Sequence, residues 1–149
     1  MYGIVAHEAQ EKYNKAGEGF PSGFEYRWTG PDGKPMRVSA PEYVDYVFSW
    51  VESQVDDASI FPVNESEPFP ADFVEHYAKD IFKRLFRVFA IIYHRHIEKV
   101  TAENAAAHLN TCFKHFMFFC FAHNLLEESE MKVVKSLVDR LKEEYDKAA

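Results

Sequence analysis

The sequence predicts a mainly α-helical fold: a helical bundle with one small β-hairpin, in a single domain over residues 1–149. Three observations carry this. Apolar residues recur at helical spacing over four long stretches. A capping box opens the first of these stretches. One segment only, at residues 24–28, alternates apolar and polar side chains as a half-buried strand does, and a Gly/Pro turn follows it.

In chain order, a short helix is expected from about Ile4 to Asn14, followed by the loop "AGEGFPSG". Phe24, Tyr26 and Trp28 alternate with polar partners, "GPDGK" is a turn signal, and "MRV" returns as the second strand. In Ser39-Ala-Pro-Glu42 the serine caps a helix and Glu42 reaches back, while Pro41 sits in the first turn, where its missing N–H does no harm. That helix carries Tyr43, Val44, Val47, Phe48, Trp50, Val51 and Val55 and ends near Asp56-Asp57. A loop holding Pro62, Pro68 and Pro70 leads into the longest helix, about Ala71 to His96, which contains no Gly or internal Pro. Ile81, Leu85, Val88, Phe89 and Ile92 gather on one side of it. Lys83, Arg87 and His94 fall within about 40° of one another on the opposite side, with Arg84 roughly 60–100° around. A helix over Glu103 to His123 contains "FKHFMFFCF", apolar nearly all round, and so is expected in the middle of the bundle. Glu128 to Glu144 reads as one amphipathic helix with Met131, Val134, Leu137, Val138 and Leu141 on its buried stripe.

Composition narrows the function. Apolar residues make up 47% and aromatics 16%, enough for a packed core and far from a disordered chain. The net charge of −7 argues against nucleic acid as a general partner, because phosphate-backbone affinity comes from excess Lys and Arg. Cys112 and Cys120 lie eight residues apart, which is roughly 12 Å along a helix and too far for a disulfide. Free thiols suit a reducing compartment. No apolar run is long enough for a transmembrane helix, and no secretory signal pattern opens the chain, so no membrane insertion and an intracellular location are expected.

Residues 79–99 hold six Lys/Arg and two Asp/Glu, a local charge of +4 in a chain of −7. Lys83 and Arg87 are i,i+4 neighbours, and Arg84 is i,i+3 from Arg87. Converging cations repel unless an anion sits among them, and Arg forks suit phosphate oxygens. His94 lies about two turns further along this face. One reading is a phosphoresidue site at Lys83, Arg84, Arg87 and His94. The other is a solvated face with small ion pairs to Asp80 or nearby acids. For metals, His94 and His96 point roughly 160° apart and cannot share an ion on a regular helix, so His96 reads as a core or capping histidine. For catalysis, no Gly-rich phosphate loop, G-x-S-x-G or H-E-x-x-H is present. A Cys112–His115 dyad is conceivable, but it lies in an apolar stretch where a thiol is inert. No enzymatic activity is expected.

Phe24-Glu-Tyr-Arg-Trp28, "SAPEYVDYVFSWV", Phe61-Pro62, "PFP", "KRLFRVFAIIYHRH" and "AHLNTCFKHFMFF" follow one another over residues 24 to 126. In content and order they resemble the Mob/phocein family. The resemblance implies the Mob fold and a non-catalytic kinase co-activator or adaptor. Its partners would be an NDR/LATS-type kinase and phosphorylated motifs of upstream Ste20/Hippo-type kinases or scaffolds. It further implies roles in Hippo-like signalling, mitotic exit and cytokinesis. The location would be cytoplasmic, with nuclear or spindle-pole association also compatible. "KRLFR" resembles the subgroup whose phosphothreonine pocket uses Lys83, Arg84 and Arg87 in this numbering. The family typically holds a structural zinc through two Cys and two His. Those positions fall here at Ala9, at Asn14 or Lys15, at Ile91 and at His96. Only His96 survives, so no zinc cofactor is expected. The family's first long helices are also expected to be missing. The alternative function is a structural scaffold subunit with this fold but without regulated phosphopeptide binding.

Overall fold

The computed structural model describes residues 2–149. A 3₁₀ turn over Tyr2–Ile4 precedes α1 (Ala6–Lys12). The hairpin strands β1 (Trp28–Thr29) and β2 (Pro35–Met36) follow, then α2 (Ala40–Val55). A π-helical turn over Phe73–Ala78 runs into α3 (Lys79–Arg95). The chain ends with α4 (Ile97–Ala102), α5 (Ala106–His123), α6 (Glu128–Met131), a 3₁₀ turn (Lys132–Val134) and α7 (Lys135–Ala148). The mainly α fold with one small antiparallel hairpin is therefore as the sequence predicts.

The strongest local signal holds in detail. Ser39 Oγ accepts from the Glu42 N–H at 3.4 Å, and Glu42 Oε1 accepts from the Ser39 N–H at 3.2 Å. Both halves of the capping box satisfy amide groups that have no partner inside α2. The hairpin is shorter than the alternation suggests. Trp28 pairs with Met36 and Thr29 with Pro35, and Pro35 has no N–H to extend the ladder. Tyr26 and Trp28 are buried while Phe24 stays exposed, so the inward face begins at Tyr26. Gly19 has φ +86° and lies so close to the Tyr13 ring that an added Cβ would sit 2.8 Å from it. Only glycine fits that bend.

Two expectations for the C-terminal half are corrected. α5 is not the centre of the bundle. It buries one stripe, Leu109, Phe113, Met117 and Cys120, while Lys114 and His115 face solvent and Phe119 is 47% exposed. Ring stacking covers part of the surplus apolar surface: Phe82 stacks on Phe116 and Phe119 at 5.4 and 5.3 Å. The central helix is α3. Val88, Ile91 and Ile92 face a core shared with α1, α2 and the hairpin, and Phe86 and Ala90 face a second core shared with α5 and α7. A helix between two cores needs apolar residues on both flanks, leaving a narrow ridge for its cations. The last predicted helix is broken. Val134 leaves helical geometry at φ −131°, ψ 45°, which brings Val133 and Val134 both into the core. The sequence reading also missed α4, which begins where His96 ends α3 at φ −131°.

Both cysteines are free thiols. Burial pushes the Cys120 thiol up to about 12, which keeps it protonated. Cys112 Sγ lies 3.8 Å from Nε2 of His108, one turn back. Among the described residues no helix is long and apolar enough to cross a membrane.

Candidate anion-binding site

The basic ridge of α3 faces the hairpin. Lys83, Arg84 and Arg87 line one cavity of about 400 Å³ together with Glu25, Tyr26, Arg27, Thr29, Pro35 and Tyr43. Helical spacing places the three cations side by side. The hairpin and α2 supply the rest. The Arg84 guanidinium lies over the Trp28 and Trp50 rings at 4.6 and 4.3 Å, and that of Arg87 over Tyr26 at 4.6 Å. Ring faces attract guanidinium planes and fix their orientation. Trp28 is held in turn by stacking on Tyr46 at 5.5 Å and by the edges of Tyr43 and Trp50.

Carboxylates already attend these cations. Asp80 Oδ1 lies 3.2 Å from Arg84 Nε and 3.4 Å from Lys83 Nζ. Arg87 donates from Nε and Nη2 to the two oxygens of Glu130, at 3.2 and 2.5 Å, and from Nη1 to the Tyr43 hydroxyl at 3.1 Å. Burial opposes the charge on Arg87, but Glu130 and Tyr43 outweigh it and hold the guanidinium protonated. Burial also raises the Tyr43 phenol, keeping it a neutral acceptor for Arg87. A guanidinium has five N–H donors. Both Nη groups of Arg84, and one hydrogen on each Nη of Arg87, are thus uncommitted among the described residues. Arg27 adds a fourth cation; its side chain is 58% exposed and 3.6 Å from Glu25. The three cations converge on one cavity, and each of them is paired with one of the protein's own acids.

His94 is not brought to this cavity. Its Nε2 donates to the Val133 carbonyl at 2.6 Å, tying the 3₁₀ turn of residues 132–134 to α3. Sequence reasoning missed Arg27, the aromatic rings and Glu130. The alternation at 24–28 could have flagged Arg27 as the outward neighbour of two inward aromatics. No spacing rule could have paired Arg87 with Glu130, 43 residues away.

Ala9, Ile91 and His96 are all buried. The His96 ring meets the edges of Tyr2 and Tyr13 at 6.2 and 5.9 Å, its Nε2 has no partner among the described residues, and burial lowers its pKa. Ala9 and Ile91 have no donor atom, and no group of three or more His, Cys, Asp or Glu among the described residues could hold a metal. These residues do not fit a zinc ion.

The profile of the Mob1/phocein family matches residues 1–134. The chain is 49% identical over 122 residues to MOB kinase activator-like 1B of Medicago sativa subsp. falcata, covering 79% of this chain and 55% of that protein. It is 49% identical over 123 residues to MOB kinase activator-like 2A of Arabidopsis thaliana, covering 79% and 56%. It is 41% identical over 143 residues to MOB kinase activator-like 1 homolog B of Dictyostelium discoideum, covering 95% and 65%. The chain therefore spans a little over half the length of the curated relatives it matches. On this match and these identities, the chain belongs to the Mob1/phocein family.

Proposed function

We propose that this chain is a non-catalytic kinase activator and adaptor that binds phosphorylated peptides through the cavity at Lys83, Arg84 and Arg87. The names of its relatives support the kinase-activator part. One observation carries the peptide part: guanidiniums oriented by aromatic rings converge on a cavity with donors uncommitted. On this reading the partners are an NDR/LATS-type kinase and a phosphothreonine motif of a Ste20/Hippo-type kinase or scaffold. A cytoplasmic setting, with nuclear or spindle-pole association, accords with such partners. Phosphate brings nearly two charges and three acceptor oxygens. Two or three charge-assisted hydrogen bonds, less desolvation, give a preference over the unphosphorylated peptide of roughly tenfold to a few hundredfold. Calorimetry with matched peptides measures it, and the affinity is expected to fall with added salt. Equal affinity for both peptides would leave the second reading, a scaffold subunit without regulated peptide binding. The commitment of Arg87 to Glu130 favours that second reading.

No zinc cofactor belongs to this function. Protein purified without added metal is expected to contain no stoichiometric zinc, and chelator should leave its thermal midpoint unchanged, because no metal-binding free energy is coupled to folding. One zinc per chain by elemental analysis would refute this.

A further inference from the structure

Glu130 holds Arg87 as a phosphate would. Two parallel N–H···O bonds run from one guanidinium to one anionic group, across 43 residues of sequence. The pair is half-buried, with 20% of the Arg87 side chain and 15% of the Glu130 side chain exposed. Glu130 borders a second cavity, of about 480 Å³, which shares Lys83 with the first. An anion reaching Arg87 therefore meets a site where a carboxylate is already seated.

We propose that Glu130 is a built-in competitor that sets the selectivity of the anion site. A ligand takes the Arg87 fork by displacing it, and only a dianion does so effectively. This rests on the phosphopeptide reading above. Two anions cannot share one fork without strong repulsion. The tethered carboxylate competes at a high effective concentration, whereas a ligand competes at its bulk concentration. A carboxylate on a peptide offers Arg87 nothing that Glu130 does not. A phosphate offers a second charge and a third oxygen, which Arg84 and Lys83 can also engage. The site thus distinguishes phosphothreonine from glutamate, two groups that a bare arginine pocket separates poorly.

Displacement has a structural consequence. α6 has four residues, too few to be stable alone. Its polar ties to α3 are the Arg87–Glu130 pair and the neighbouring His94–Val133 bond. Once Glu130 leaves Arg87, residues 127–131 lose their ionic anchor, while Val133 and Val134 stay in the core. Occupancy of the cavity is thereby transmitted to the α6 surface.

The test uses the full chain and three synthetic peptides of one sequence, carrying threonine, phosphothreonine or glutamate at one position. The parent is expected to prefer the phosphothreonine peptide over both of the others. Glu130→Gln should bind it on the order of tenfold more tightly and should also bind the glutamate peptide. Thermal melts verify folding. If Glu130→Gln does not fold, Glu130→Asp, whose shorter side chain reaches Arg87 less well, should shift both affinities in the same direction. In the parent, the phosphopeptide should speed amide exchange over residues 127–131. If the parent selects the phosphopeptide but removing the carboxylate leaves affinity unchanged or weaker, or exchange over 127–131 does not change, the role of Glu130 is refuted and the phosphopeptide reading stands. If neither parent nor variants prefer the phosphopeptide, both fall.

Discussion

Trp28→Ala is expected to lower stability by about 3–5 kcal/mol, the range for removing a large buried aromatic. That is a large share of the roughly 5–15 kcal/mol typical of a domain. Trp28 is 8% exposed and links three elements: it stacks on Tyr46 of α2, meets Tyr43 and Trp50, and underlies Arg84 of α3. Its loss opens a void between the hairpin and α2 and removes one of the two ring faces that orient the Arg84 guanidinium. Trp28→Phe keeps a smaller ring and should recover part of both effects. Urea unfolding of the three proteins gives the energies, and calorimetry at a temperature where each remains folded gives the peptide affinities. A Trp28→Ala protein with parental stability would show that the hairpin does not contribute to the core.

Arg87→Ala is expected to weaken phosphopeptide binding by more than tenfold and to destabilise the fold as well. Arg87 is not a free surface cation: its side chain is 20% exposed and paired with Glu130. Removing it strands Glu130 at 15% exposure, leaves the Tyr43 hydroxyl without its donor and uncovers the Tyr26 ring. Breaking a fully buried pair costs about 3–5 kcal/mol. With part of each side chain still wet, roughly 2 kcal/mol is expected here, or about 4–8 °C in thermal midpoint for a domain of this size. Arg87→Lys keeps the charge but not the fork and should restore stability more than binding. Calorimetric scans and peptide titrations on the same samples separate the two effects. An Arg87→Ala protein that melts and binds like the parent would refute both.

Local chemistry made much of this protein legible from its residues. The Ser39–Glu42 box lies within one turn of chain, so the start of α2 was readable to the residue. The proximity of Lys83, Arg84 and Arg87 follows from helical periodicity alone. The motif order placed the chain in its family. The three-residue interruption at the 3₁₀ turn was not visible, because the apolar spacing of 131–141 fits an unbroken helix equally well. The centrality of α3 was also hidden. α5 has the more apolar sequence, but burial depends on how many neighbours an element packs between, and periodicity carries no information about neighbours.

The sequence by itself determined which cations stand together and where α2 begins. Tertiary structure alone decided what those cations touch: indole faces from β1 and α2 beneath Arg84, a tyrosine ring and hydroxyl at Arg87, and the carboxylate of Glu130 in its fork. Contacts within a helix turn are set by backbone geometry, which is the same in every helix. Contacts across dozens of residues are set by the packing of whole elements, which minimises exposed apolar area and unpaired charge over the entire chain at once.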